Sequence, residues 1–95
     1  MARIVITGSA DGLGLLAAKQ LVMEGHHVIL HARNAARGQE ALAKVPGAET
    51  VLVGDLSDRD ATRQLATDIN ALGNVDAIIH NAGYAAQFYV EHRLS

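Results

Sequence analysis

The chain has 95 residues, of which 49% are hydrophobic and 19% charged, and its formal net charge is -2 at pH 7. This length allows one small domain, and the balance of charge excludes a nucleic-acid partner. No apolar run approaches the roughly 20 residues of a membrane-spanning helix, and the absence of cysteine excludes disulfides and thiol catalysis. We expect a globular, cytoplasmic protein with no membrane partner.

The apolar pattern predicts strands that alternate with helices along the chain. The predicted strands are residues 3–7, 27–31, 50–53 and 75–80. The predicted helices are 12–24, 34–44 and a third that follows a capping box at 57–60. This βαβαβαβ order predicts a doubly wound parallel sheet with helices on both faces, and by analogy the strand order 3-2-1-4.

Three glycines follow the first strand within seven positions, spaced G-x-x-x-G-x-G at Gly8, Gly12 and Gly14. Glycines let the backbone turn tightly and approach phosphate oxygens, and the N-terminus of the next helix offers free N–H groups to a negative charge. The pattern therefore indicates a diphosphate site. A tight turn between strand and helix is the alternative interpretation.

Three motifs in this order resemble those of the short-chain dehydrogenase/reductase family. They are TGxxxGxG at residues 7–14, GDL at 54–56 and HNAG at 80–83, where the family more often has a second asparagine in place of His80. The resemblance covers residues 2–83. It implies the N-terminal, cofactor-binding part of an enzyme that passes hydride between a nicotinamide and an alcohol or carbonyl, on a Rossmann-like fold.

The resemblance also implies which residues hold the dinucleotide. The diphosphate is assigned to the glycine loop, the 2′-phosphate to the end of the second strand, the adenine to the turn after the third strand, and the ribose to the segment after the fourth. In that order the residues are Gly8, Ser9, Asp11, Gly12, Leu13 and Gly14; Arg33 and Asn34; Asp55 and Leu56; and Asn81, Ala82 and Gly83.

The choice between NADP and NAD depends on the end of the second strand. An NAD site usually offers an acid to the ribose hydroxyls about 20 residues past the glycines, whereas here Ala32 takes that position and Arg33 follows. A guanidinium can pair bidentately with a 2′-phosphate, so NADP is the predicted cofactor and NAD the less favoured one. A solvated arginine at Arg33, and an Asp55 that merely braces its turn, are the alternatives.

No residue is predicted to be catalytic. The family uses a serine and a Tyr-x-x-x-Lys motif, and the segment from Tyr89 to Arg93 matches that motif only superficially. The chain alone is therefore expected to be inactive. The alternatives are a non-enzymatic nucleotide-binding or assembly module and a truncated fragment without function.

The histidines are not expected to hold a metal. His26 and His27 are adjacent and so diverge, and His31, His80 and His92 lack helical ligand spacing and any cysteine partner. Solvated or strand-end histidines are the preferred interpretation.

The predicted half-domain spans residues 1–83, and residues 84–95 form a tail that carries Tyr84, Phe88 and Tyr89. With the order 3-2-1-4, the fourth strand lies at an open edge of the sheet. Unpaired N–H and C=O groups on such an edge are a template for another strand. We therefore expect a homodimer or other self-association at this edge, with the three aromatic residues covering the seam.

Overall fold

A computed structural model describes residues 2–81 and 90–92. The elements in chain order are β1 (Arg3–Thr7), α1 (Gly12–Met23), β2 (His27–Ala32), α2 (Ala35–Lys44), β3 (Thr50–Val53), α3 (Arg59–Ala71), β4 (Ala77–His80) and β5 (Val90–His92). Every strand and helix predicted from the sequence is present, most with bounds within one residue. None of the helices in this part of the chain is long and apolar enough to cross a membrane.

The first four strands form a parallel sheet in the order β3-β2-β1-β4, which confirms the predicted topology. β1 lies at its centre, where Val5 is in register with Ile29 on one side and Ile78 on the other. The reversal of strand order falls beside β1. Ligands of open parallel sheets bind at this position, outside the carboxyl ends of the strands.

Alternation along β1 divides the apolar core into two layers. Ile4 and Ile6 belong to the cluster that packs against α1 and α2, whereas Val5 belongs to the cluster that packs against α3. Val5 and Ile6 are fully buried, because a central parallel strand has helices over both faces. The sheet therefore holds the ends of β1 and β2 in fixed positions.

The helix boundaries follow from local chemistry that the sequence makes visible. Asn34 caps α2 through a hydrogen bond that its side chain accepts from the Arg37 N–H at 2.9 Å. Gly25 follows α1 with φ of 91° and donates to the carbonyl of Val22 at 3.0 Å. A left-handed residue after a helix favours glycine, as the sequence predicts.

The fourth strand begins later than predicted. The Val75 N–H donates to the Gly73 carbonyl at 2.7 Å and so still belongs to the turn. Asp76 places its carboxylate on the Arg3 N–H at 2.7 Å. The regular ladder with β1 then starts at Ala77.

The expectation of an open edge at the fourth strand is wrong. β5 pairs with β4 in antiparallel orientation, with Val90 opposite Ile79 and His92 opposite Ala77. The chain itself thus supplies the hydrogen-bonding partner that a second copy was expected to supply. Tyr84, Phe88 and Tyr89, expected to cover a seam there, lie outside the described residues.

The contribution of helix capping to stability can be tested at the N-cap of α3. Asp58 accepts hydrogen bonds from the N–H groups of Asp60 at 2.8 Å and Ala61 at 3.2 Å. Asp58→Ala is expected to lower the free energy of unfolding by about 1 kcal/mol, as measured by urea denaturation. Asp58→Asn keeps an acceptor and should cost clearly less. Equal losses for the two variants would contradict the cap.

Candidate functional site

The carboxyl ends of β1, β2 and β3 surround a cavity of about 390 Å³. Its walls come from the loop after each of these strands and from the first turn of α2. The lining residues are Gly8, Ala10, Asp11, His31, Ala32, Arg33, Arg37, Asp55, Leu56 and Ser57.

The glycine loop has the backbone that its composition requires. Gly8 and Gly12 have φ of 65° and 60°, in the left-handed region that side chains disfavour. A Cβ atom at Gly14 would overlap both the carbonyl oxygen of Gly8 and the side-chain amide of Asn81. The loop therefore turns tightly, and the first turn of α1 packs against Asn81, the residue that follows β4.

Asn81 ties the end of β4 to the glycine loop. Its backbone N–H donates to the Thr7 hydroxyl at 3.0 Å, and its side-chain amide donates to the Gly8 carbonyl at 3.4 Å. The Thr7 hydroxyl in turn donates to the carbonyl of Ile79 at 3.4 Å. Ala82 and Gly83, the other predicted ribose residues, lie outside the described part of the chain.

Ser9 is fully buried and faces β2 instead of the cavity. Its hydroxyl accepts a hydrogen bond from the His31 N–H at 2.8 Å, and its own N–H donates to the His31 carbonyl at 3.0 Å. Ser9 therefore fixes the glycine loop against the sheet. Leu13, also predicted at the diphosphate, is 52% exposed and does not line the cavity.

Two arginines of the described part of the chain line the cavity, and only Arg33 was predicted from the sequence. Arg33 is exposed at the end of β2, and Arg37 lies one helical turn further along the chain, in α2. Arg37 forms an ion pair with Asp11 of the glycine loop. The signal in the sequence was the cap at Asn34, because a helix that begins there has Arg37 in its first turn, close to the end of β2.

Asp55 braces the turn between β3 and α3. Its Oδ1 accepts hydrogen bonds from the N–H of Ser57 at 2.9 Å and from the Ser57 hydroxyl at 2.7 Å. These two hydrogen bonds, helped by the positive charge of Arg33, lower the pKa of Asp55 below its ordinary value. The carboxylate is therefore ionised at neutral pH, beside a half-buried Leu56.

His31 is another cavity residue whose role was not predicted from the sequence. It lies near the end of β2, as expected, but is only 3% exposed and so is not solvated. Its signal in the sequence was its position inside a strand buried on both faces, where a polar side chain needs partners. No sequence pattern indicated that Ala10 and Ser57 would also line the cavity.

The chain is similar in sequence to a family of known proteins. Residues 2–94 match the family model of the short chain dehydrogenases. Over 83 residues the chain is 58% identical to the uncharacterized oxidoreductase AN7799 of Emericella nidulans and 58% identical to the short-chain dehydrogenase chyC of Penicillium rubens. Each of these alignments covers 87% of this chain and 32% of the relative, so the chain spans about a third of these curated proteins.

A solved structure gives the same answer for the fold. A short chain dehydrogenase/reductase family protein superposes with a TM-score of 0.75 at 32% identity, over 86% of this chain and 34% of that one. The strand order 3-2-1-4, the glycine loop and the family model thus agree. The chain belongs to the short-chain dehydrogenase/reductase family of NAD(P)-binding oxidoreductases.

Proposed function

We propose that the chain is the NADP-binding portion of a short-chain dehydrogenase/reductase and that it holds the dinucleotide in the cavity at the ends of β1, β2 and β3. The observation that carries this proposal is the pair of guanidinium groups, Arg33 and Arg37, in a cavity wall where β2 ends without a carboxylate. The family supplies the coarser part, an NAD(P) dinucleotide. The side chains at this wall support the choice of NADP.

The start of α1 suits a diphosphate. Asp11 occupies the N-cap position but, within the described part of the chain, its side chain makes no capping hydrogen bond, and the first turn of α1 contains no acidic residue. The first N–H groups of the helix therefore keep their hydrogen-bonding capacity for phosphate oxygens. Gly8, Gly12 and Gly14 let the backbone approach that position, and Ser9 fixes the loop against β2. Leu13 is assigned to this position only through its backbone at the start of α1.

The end of β2 suits a 2′-phosphate. Ala32 is 2% exposed and has no charge that would repel it, while Arg33 and Arg37 offer planar donors that match a phosphate in bidentate geometry. Asp11 holds Arg37 at the cavity through their ion pair. Asn34 contributes by starting α2 at this point, since its side chain caps that helix.

The remaining predicted residues are assigned to the adenine and the nicotinamide ribose of the cofactor. The hydrogen bonds from Ser57 occupy Oδ1 of Asp55, so Oδ2 of this ionised carboxylate is the acceptor that we assign to the adenine amino group. Leu56 offers the apolar wall beside it. Asn81, with Ala82 and Gly83 after it, is assigned to the nicotinamide ribose.

The bound cofactor would supply hydride chemistry, whereas these residues bind and orient it. The 95 residues contain no Tyr-x-x-x-Lys motif, and Tyr89 and Arg93, which match it superficially, lie outside the described residues. We therefore propose that this chain binds the cofactor without turning over a substrate. Membership of the family supports an oxidoreductase origin over a non-enzymatic module.

Self-association is also proposed, at an edge different from the predicted one. Among the described residues, β5 is the last strand of the sheet, and its outer side has no paired strand. A second copy could extend the sheet there across a two-fold axis, with β5 against β5. This proposal replaces pairing at β4, which β5 already covers.

The preference for NADP over NAD is tested by calorimetric titration of both cofactors. Arg33→Ala is expected to weaken NADP binding by about 1.5–3 kcal/mol, because a charged bidentate pair is lost, and to leave NAD binding nearly unchanged. Arg37→Ala should act in the same direction. Arg63→Ala, on α3 and away from the cavity lining, is the matched control. Equal affinities in the wild type, or a preference that survives Arg33→Ala, would refute the assignment.

The absence of turnover is tested with the purified 95-residue chain, NADPH and a panel of ketones and aldehydes. Absorbance at the nicotinamide band is expected to fall no faster than in a protein-free control. Cofactor binding is measured on the same sample, so that an unfolded preparation is recognised. Turnover that disappears in Tyr89→Phe would show that Tyr89 acts as a proton donor and that the proposal is wrong.

The oligomeric state is measured by light scattering coupled to size exclusion at micromolar concentration. A dimer is expected, because the outer edge of β5 can continue the sheet. Hydrogen exchange of the β4 and β5 amides on the same sample shows whether both strands are formed. A monomer with both strands protected from exchange would rule out pairing at this edge.

A further inference from the structure

The imidazole of His31 connects two loops of the cavity that are distant in sequence. Its Nδ1 accepts a hydrogen bond from the Gly8 N–H at 3.0 Å, and its Nε2 lies 2.7 Å from the carbonyl oxygen of Gly54. Gly8 opens the glycine loop, and Gly54 directly precedes Asp55 in the turn after β3. One side chain in β2 thus contacts the first residue after each of the two neighbouring strands, on the side where the cavity lies.

These contacts define the protonation state of the ring. The Gly54 carbonyl can only accept, so Nε2 must carry the proton, and the Gly8 N–H can only donate, so Nδ1 must present its lone pair. A single form of the side chain, the neutral Nε2–H tautomer, satisfies both. A doubly protonated ring would place an N–H at Nδ1 against the N–H of Gly8, and this hydrogen bond would be lost.

The backbone of residue 31 is held as firmly as its ring. The His31 N–H donates to the Ser9 hydroxyl at 2.8 Å, and the His31 carbonyl accepts from the Ser9 N–H at 3.0 Å. The next carbonyl, of Ala32, accepts from the Gly54 N–H at 3.0 Å. The ring therefore has little freedom to move, and its two nitrogens fix how far the two loops stand apart.

We infer that His31 is a positioning residue for the dinucleotide site, whose neutral imidazole sets the separation of the glycine loop from the turn that carries Asp55. The inference rests on the proposed function, because these loops are the ones assigned to the diphosphate and the adenine. His31 acts through Gly8 and Gly54 and is not assigned a contact with the cofactor.

The electrostatic surroundings keep the ring neutral. Burial lowers the pKa of His31 below its ordinary value of 6.5, and the hydrogen bond to the Gly54 carbonyl offsets part of that shift. Among residues 2–81 and 90–92, the charged side chains that line the same cavity are Arg33, Arg37, Asp11 and Asp55. Burial is the larger of the two effects on the pKa of His31, so it determines the direction of the shift.

This lowered pKa has a defined consequence for acid stability. As the pH falls below 6.5, the unfolded chain binds a proton at His31 before the native chain does. The native state therefore loses stability as the pH falls from the ordinary pKa toward the native one. The His31→Phe variant has no titrating group at this position and should not lose this part of its stability. The difference in the free energy of unfolding between the wild type and His31→Phe should therefore change over that pH range.

The experiment combines a measurement that needs no cofactor with a matched set of variants. Long-range nitrogen–proton NMR on the full chain at pH 7.5 should show the neutral Nε2–H tautomer at His31. His31→Phe removes both contacts, whereas His31→Asn can keep an acceptor for Gly8 and His31→Gln a donor for Gly54. NADP binding is expected to weaken at least about tenfold in His31→Phe, since two hydrogen bonds are lost, and to recover partly in the Asn or the Gln variant.

Ile69→Val, in the core on the α3 side of the sheet, is the control for loss of stability without a change at the cavity, and should bind NADP like the wild type. A ring protonated at Nδ1, or equal binding by the wild type and a folded His31→Phe, would overturn the inference. So would Asn and Gln variants that both bind as weakly as His31→Phe. If the wild type shows the expected tautomer but binds no dinucleotide, the proposed function fails and the role of His31 in cofactor positioning fails with it, while its contacts with Gly8 and Gly54 stand.

Discussion

The close approach of α1 to the ends of β1 and β4 is the constraint on which the cavity depends. Any side chain at Gly14 would overlap the Gly8 carbonyl and the Asn81 amide, so only glycine allows the helix to begin where it does. The hydrogen bonds from Asn81 to Thr7 and Gly8 then join the two strands at this point. The first N–H groups of α1 are thereby held at the switch point of the sheet, where a diphosphate would bind.

Most of the fold could be predicted because each element has a local cause in the sequence. The alternation of strands and helices follows from the buried β-branched strands, the cap at Asn34 and the glycine after α1. Because crossover connections between parallel strands are right-handed, few topologies fit this alternation. β5 could not be predicted, since a three-residue strand has too short a pattern, and its position depends on the ladder with β4. The late start of β4 was missed because Asp76 makes its contacts with Arg3, a residue distant in the sequence.

Residues of the candidate site could be predicted where they belong to a sequence motif. They could not be predicted where their role depends on a contact between segments distant in sequence. The glycines and Arg33 follow from spacing, but the roles of Ser9 and His31 arise from hydrogen bonds between β2 and the glycine loop. Arg37 enters the cavity because α2 starts at Asn34 and because Asp11, an awkward residue for a phosphate loop, holds it by an ion pair. The carboxylate of Asp11 is thereby paired with Arg37, which reduces its repulsion of a phosphate in the loop.

Chemical-shift mapping of the labelled chain with NADP tests whether the cavity beside β1 holds the dinucleotide. With NADP in this cavity, we expect saturable binding and the largest amide shifts at Gly8, Gly12, Gly14 and Arg33, and in the turn at Asp55. Small shifts are expected at Leu65 and Ile69, which line a separate cavity beside α3. Saturable shifts that centre on α3 and leave the glycine loop unchanged would show that the dinucleotide does not bind in the cavity beside β1.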